Sequence, residues 1–234
     1  MSETDQLSSI YERFREFTMI DRDSYLANLH LAECVLNLPA LADGCIIECG
    51  TWRGGMAAGL MSIGGRARYY HFFDSFLGLP APGARDGAEA LRWGADTSGP
   101  RYFNNCTATL DEFLEVVSKV DVPAEQVTVH AGWFEETFPS CNVSAVAVLR
   151  VDVDWYDSTR LCLERFWDLL LPGALIVIDD YYDWEGCRKA VHDFLAGKQA
   201  CEAIRQSPFG RVCYVIKDGG RDILPDSGFD IRSS

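Results

Sequence analysis

Two apolar runs, each ending abruptly in carboxylates, constrain this chain more than any other feature. Residues 145–151 (AVAVLRV) lead into Asp152 and Asp154, and residues 174–178 (ALIVI) lead into Asp179 and Asp180. One helix-length segment separates them. If the two runs are neighbouring parallel strands, all four carboxylates collect at one sheet edge. In open α/β sheets the carboxyl ends of the strands are where ligands bind. So much acid in one place repels itself unless something cationic sits among it, which points to a divalent metal site.

The remaining pattern extends this unit into a sheet. Further strand-like runs fall at residues 45–48, 69–73, 127–129 and 211–217, and helix-like segments separate them. Leu110, Phe113, Leu114 and Val117 follow amphipathic spacing, with Asp111 near the start of that helix. Asp157 or Ser158 is placed to cap a helix through Leu163, Phe166, Trp167 and Leu170, which Pro172-Gly173 stops. Cys187, Ala190, Val191, Phe194 and Leu195 form a last helical stripe that closes near Gly197. Strands alternating with helices at this spacing predict βαβ units, hence an α/β fold with a doubly wound, mostly parallel sheet.

Before the first strand, two helices are expected within residues 1–40, a helical extension to the domain that occupies 41–234. Residues 77–105 break the rhythm, with eight glycines and prolines from Gly78 to Pro100. That stretch reads as a long loop, either a substrate lid or a mobile insertion. The polar tail from Asp218 is expected to fray.

The net charge of −14 argues against nucleic acid or an anionic membrane surface as a partner, because both need a basic face. None of the nine cysteines forms a Cys-x-x-Cys pair, and Cys45, Cys162, Cys187 and Cys213 sit in apolar patterns as small core residues. With no signal peptide and no apolar run of membrane-spanning length, a reduced, cytoplasmic protein is the expectation.

Glu48-Cys49-Gly50-Thr51-Trp52-Arg53-Gly54-Gly55 follows the first strand and opens a helix. Its glycines permit a sharp turn and close approach to a ligand, but the dinucleotide spacing G-x-G-x-x-G is absent. E-x-G-x-x-x-G suits a nucleoside ligand without phosphates, such as S-adenosylmethionine; an ordinary tight turn would look the same. Asp74 ends the second strand and could accept both hydroxyls of a ribose, or simply close the strand. Gly132-Trp133-Phe134 ends the third, offering an apolar shelf for an adenine ring or plain core. Asp152, Asp179 and Asp180 suit Mg2+, which takes a few carboxylate oxygens plus waters. Zinc would call for His or Cys ligands. Asp154, two residues beyond Asp152, points to the same face if the backbone is extended, and a carboxylate there can take a proton from a hydroxyl that the metal acidifies. His192 reads as a surface residue, and His130 as a second candidate base. Trp155, Tyr156, Tyr181, Tyr182 and Trp184 flank the acids as possible acceptor-pocket walls or core.

The segments ECGTWRGG, FDSFLGLP, HAGWFEETFP, LRVDVDWYDST and VIDDYYDW, in this order, resemble the macrocin O-methyltransferase family. The resemblance implies a seven-stranded, Rossmann-like class I fold and Mg2+-dependent methyl transfer from S-adenosylmethionine to a sugar hydroxyl of an antibiotic. It implies that Glu48, Gly50 and the turn through Thr51, Trp52, Gly54 and Gly55 hold the methionine part, with Thr18 and Met19 closing over it. Asp74 and Ser75 would bind the ribose, and Gly132, Trp133 and Phe134 the adenine. Asp152 would border the cofactor and, with Asp179 and Asp180, bind the metal. Asp154 would be the general base. A homo-oligomer with the N-terminal helices between subunits is also implied. A metal-dependent hydrolase and a cofactor-binding module without turnover are the rival readings. The acceptor, a small hydroxylated molecule, is not named by the residues.

Overall fold

In the computed structural model, residues 3–218 are described. Five parallel strands form most of one sheet: β1 (Cys45–Cys49), β2 (Tyr70–Asp74), β3 (Val127–Ala131), β4 (Val146–Val151) and β5 (Leu170–Ile178). Two antiparallel strands, β6 (Arg205–Gln206) and β7 (Cys213–Ile216), complete it. The order is β3-β2-β1-β4-β5-β7-β6. The chain thus winds outward from β1 to β3, then returns to β1's other side at β4. This reversal makes the carboxyl ends of β1 and β4 a topological switch point, where a crevice opens above the sheet.

Register decides what meets there. Cys49 pairs with Val151, and Val151 pairs with Ile178, so Gly50, Asp152 and Asp179 emerge side by side. β1 and β4 are buried along their whole length, which their unbroken apolar runs require.

The helices are α1 (Glu3–Phe14), α2 (Arg22–Leu36), α3 (Gly55–Gly64), α4 (Gly87–Ala95), α5 (Leu110–Val117), α6 (Phe134–Thr137), α7 (Tyr156–Phe166) and α8 (Glu185–Lys198). Asp21 caps α2 by accepting from Ser24 N. Tyr25, wholly buried on that helix, donates to the Gly55 carbonyl at 2.9 Å. α2 contributes Tyr25, Leu26, Leu29 and Val35 to the same buried cluster as the strands. Thr109 and Glu112 cap α5 reciprocally, a stronger start signal than Asp111. Among the described residues, no helix is long and apolar enough to cross a membrane.

Three expectations need correction. Residues 77–105 are not a structureless loop: α4 lies within them, between short 3-10 turns at Ala84–Asp86 and Phe103–Cys106. Gly87 and Gly94 read as breakers, yet the Ala-Glu-Ala-Leu-Arg-Trp run between them is strongly helix-forming. Pro172-Gly173 does not stop a helix. The helix ends at Phe166, and Pro172 and Gly173 form an irregularity inside β5, where the register against β4 shifts and a residue without an N–H is tolerated. Neither Asp157 nor Ser158 caps α7; its cap comes from the lid, as described below. The two-residue β6 leaves no period to read. The tail beyond Asp218 lies outside the described residues.

Candidate active site

A cavity of about 710 Å3 opens over the switch point, within the size range of small-ligand sites. Residues from every proposed motif border it: Thr18, Met19, Glu48, Gly50, Thr51, Trp52, Asp74, Ser75, Gly132, Trp133, Phe134, Asp152, Asp154, Asp179 and Asp180. Gly54 and Gly55 stand behind the turn instead of on the cavity wall.

The turn is held by its own acid. Asp74 Oδ2 accepts from Thr51 N (2.8 Å) and Trp52 N (2.9 Å), while Oδ1 accepts from Phe76 N (2.8 Å). Asp74 is therefore a brace for the glycine turn as well as a wall of the cavity, and a ribose would have to share its remaining lone pairs. Gly50 takes φ +81°, and a Cβ there would run into the Asp152 carbonyl oxygen. A Cβ at Gly55 would lie 2.6 Å from the Phe17 carbonyl, so only glycine lets α3 start against the segment that carries Thr18 and Met19. Trp52 is also left-handed, at φ 46°, a strained conformation for an indole residue. Ser75 Oγ braces its own loop, donating to the Gly78 carbonyl and accepting from Leu77 N. Phe134 stacks on Phe138 with centroids 4.9 Å apart.

The cation among the acids is already in the chain. Arg150, 1% exposed on β4, donates from Nη1 to Glu48 Oε1 (2.8 Å) and Asp152 Oδ2 (2.9 Å). Its Nη2 lies 2.6 Å from Asp179 Oδ1, and its Nε donates to Asn28 Oδ1 on α2 (3.2 Å). Burial works against its charge, but Asp179, Asp152 and Glu48 outweigh that and hold the guanidinium firmly protonated. Arg150 is not among the site residues that the sequence motifs single out. Its signal was an arginine inside an otherwise apolar strand, which burial tolerates only beside acids.

One arginine does not balance five carboxylates. Burial, then neighbouring Asp152 and Asp179, push Glu48 up to about 8 against the pull of Arg150. Asp152 rises to about 6 through burial and Asp179. Burial and Asp152 push Asp154 up to about 8, opposed by a hydrogen bond from Trp184. Asp180 is raised well above the usual carboxylate range by burial, Asp154 and Asp152. Ligand oxygens of Asp152, Asp179 and Asp180 all lie within 4.8 Å of one another. An all-oxygen donor set that still carries excess negative charge fits a hard divalent cation.

Asp154 departs from the expected extended backbone. At φ 58° it is left-handed, so strand alternation does not set its direction. Its N–H donates to Asp180 Oδ2 (2.8 Å), and its Oδ1 accepts from Trp184 Nε1 (2.8 Å). Those two bonds aim it at the cluster. His130, the second candidate base, is not on the cavity: it pairs with His71 and stacks on Phe73, 4.1 Å between centroids. His192 is exposed, against the Tyr181 hydroxyl at 2.9 Å. Of the five flanking aromatics, Trp155 alone borders the cavity; Trp184 supports it from behind through Trp155 and Asp154.

The far wall is the lid, with Leu79, Pro80, Ala81, Gly83, Asp86 and Cys106. Asp86 is its anchor. It is 6% exposed, accepts from Gly83 N through Oδ2 (2.6 Å), and through Oδ1 accepts from Tyr156 N (2.7 Å), capping α7 across seventy residues of sequence. Trp155 Nε1 donates to the Pro80 carbonyl (2.9 Å), and Trp93 of α4 packs edge-on against Trp155. The Cys106 thiol is pushed up to about 12 by burial and nearby aspartates, which disfavours its nucleophilic thiolate form at neutral pH.

Comparison with known proteins finds relatives among O-methyltransferases. The 8-demethyl-8-(2,3-dimethoxy-alpha-L-rhamnosyl)-tetracenomycin-C 4'-O-methyltransferase of Streptomyces olivaceus is 35% identical over 163 residues, 66% of this chain and 60% of that protein. The demethyldecarbamoylnovobiocin O-methyltransferase of Streptomyces niveus is 31% identical over 65% of this chain and 58% of its own length. The mycinamicin III 3''-O-methyltransferase of Micromonospora griseorubida is 33% identical over 70% and 66%. The matched regions thus span roughly three fifths to two thirds of these relatives. The solved O-methyltransferase NovP superposes with a TM-score of 0.71 at 26% identity, covering 86% of this chain and 82% of NovP. The calicheamicin methyltransferase CalS11 shares the fold at a TM-score of 0.61 and 20% identity, covering 92% of each chain. The macrocin-O-methyltransferase (TylF) profile matches residues 9–209, and the chain belongs to that family.

Proposed function

We propose that this chain is an S-adenosylmethionine-dependent O-methyltransferase that uses Mg2+ to methylate a sugar hydroxyl of a secondary metabolite. One observation carries the reading. A cofactor-type glycine turn braced by a strand-end acid, and a three-carboxylate cluster with excess negative charge, share one cavity at the switch point. The named relatives, which methylate glycosylated antibiotics or their precursors, support the substrate class.

S-adenosylmethionine, when bound, supplies the electrophilic methyl group, and Mg2+, when bound, acidifies an acceptor hydroxyl. The turn at Gly50–Gly55 would receive the methionine part. Glu48 Oε2, buried without a hydrogen-bond partner, suits its ammonium group. Asp74 would take ribose hydroxyls, and Trp133 and Phe134 would flank the adenine. Asp152, Asp179 and Asp180 would hold the cation. Asp154 would accept the acceptor proton at Oδ2, since Oδ1 is engaged by Trp184. Trp155, Pro80 and the lid would shape the acceptor site and exclude water.

Titration calorimetry with S-adenosylmethionine tests the core of this reading: absence of binding, with or without Mg2+, sinks it. A metal-dependent hydrolase would use the same aspartates but leaves the glycine turn and Asp74 without a ligand. A mass-spectrometric screen of glycosylated acceptors, looking for a methyl increment, then identifies the acceptor and separates turnover from mere cofactor binding.

A further inference from the structure

A second group of metal-binding side chains lies outside this cavity. His71 on β2, His130 on β3 and Cys141, just after the 3-10 turn Phe138–Ser140, converge at the β2–β3 edge of the sheet. His71 Nδ1 and His130 Nε2 are 3.1 Å apart, and the Cys141 sulfur lies within 4.8 Å of a ring nitrogen of each histidine. We propose that His71, His130 and Cys141 form a binding site for a soft divalent transition-metal ion of the zinc class.

The donor chemistry differs sharply from that of the aspartates. Two imidazoles and a thiolate are the ligands zinc prefers, and three protein ligands leave a fourth position for solvent. A tetrahedral zinc with bonds of about 2.0–2.3 Å holds its ligands roughly 3.3–3.8 Å apart. The two rings need only part by a few tenths of an ångström, and Cys141 needs to close by up to about an ångström. Both rings are half-buried, so an ion has a way in, whereas Cys141 is 4% exposed and anchored. Burial keeps the rings neutral, the form that binds metal. Burial raises the Cys141 thiol above its ordinary range, and Arg165, which donates to the Cys141 carbonyl at 2.7 Å, offsets part of that rise.

The hydrogen-bonded pair must change tautomer. The proton shared between the rings leaves, and one returns from solvent to the outward nitrogen, His71 Nε2 or His130 Nδ1. The thiol proton departs to solvent, so each ion bound releases one proton net. The ion would join the end of β3 to the segment after Phe138. Between those two ligands lie Gly132, Trp133 and Phe134. Occupancy would therefore clamp both ends of the segment that carries the aromatic shelf.

Cobalt(II) is the probe, because a cysteine thiolate bound to it gives an intense near-ultraviolet charge-transfer band that carboxylate ligands do not. The purified full chain, with saturating Mg2+ on the aspartates and no S-adenosylmethionine, is titrated with Co2+. The expected result is one thiolate band per chain, displaced by Zn2+. Cys141→Ser abolishes the band, and His71→Gln weakens Co2+ affinity at least about tenfold. Asp152→Asn leaves the band intact. Zn2+ raises the melting temperature of the wild type but not of His71→Gln. No band in the wild type, or a band that survives in His71→Gln at unchanged affinity, overturns the site. If Cys141→Ser fails to fold, His71→Gln alone decides, with circular dichroism as the folding control. The test needs no methyl transfer, so failure of the proposed activity leaves it standing.

Discussion

Arg150 governs the acid cluster from beneath, and its removal leaves three carboxylates facing one another with no counter-charge. Glu48, Asp152 and Asp179 all rest on its guanidinium. Breaking a buried ion pair by deleting one partner costs about 3–5 kcal/mol, so Arg150→Met is expected to lower stability by about that amount in denaturant titration. Mg2+ should restore more stability in Arg150→Met than it adds to the wild type, because it meets more uncompensated charge. An equal increment in both would mean that Arg150 and the cation do not share the same carboxylates. Asp154 belongs to the same network but has a different task. Asp154→Asn keeps the side chain's size and its acceptor for Trp184 Nε1, yet cannot take a proton. Turnover on an identified acceptor should fall about 10²–10⁴-fold with S-adenosylmethionine affinity unchanged. Full activity in that variant would remove Asp154 as the base. Residues 145–154 already spelled out the strand and its acids, and the arginine was visible there too. What could not be read was its direction, because one buried guanidinium reaching α2, β1 and the turn just after β5 is a product of packing.

Between single residues and the whole fold, the lid is the element that most separates this chain from a bare sheet. Its glycines and prolines read as a loop, and they do serve turns, but α4 and the Trp93–Trp155–Trp184 cluster give it a core of its own. Asp86 ties that unit to α7, and nothing local predicts it, since its partner Tyr156 N lies far along the chain. α5, by contrast, begins and ends where its apolar spacing does. Local patterns were legible wherever one face packs on the sheet, and failed where tertiary partners replace local caps. Asp86→Ala is expected to loosen the lid without touching the glycine turn. The acceptor KM should rise about tenfold while S-adenosylmethionine affinity holds, and proteolytic cleavage within residues 84–105 should accelerate. The lost cap costs about 1–2 kcal/mol, readable as a lower melting temperature. A matching loss of S-adenosylmethionine affinity would show that the lid serves the cofactor half instead.

Across the whole molecule, two groups of buried titratable side chains pull stability in opposite directions with pH. In Glu48 and Asp154, both pushed up to about 8, and in Asp152, at about 6, the folded state binds protons more tightly than the unfolded chain, whose carboxylates titrate near 4. The stability they contribute is complete below that unfolded value, falls as pH rises past about 4, and is gone once pH has passed the folded values of about 6 to 8. The imidazoles work the other way. His130 falls to about 4 through burial and the nearby His71, which is itself lowered by burial. The unfolded chain therefore takes up protons first, and stability is lost as pH falls from about 6.5 toward 4. The carboxylates outnumber the imidazoles, so in a chelator-treated sample the melting temperature should fall from about pH 5 to pH 8.5, with the imidazoles only making the slope shallower below about pH 6.5. Mg2+ counters the alkaline part of that fall, because it stabilises the ionised aspartates and has no hold on the imidazoles. A few millimolar Mg2+ should thus raise the melting temperature more at pH 8.5 than at pH 6, and barely at pH 5, where protons compete for the same oxygens. Scanning calorimetry across that range decides the matter: a Mg2+ increment independent of pH would mean that the cation binds elsewhere on this acidic surface.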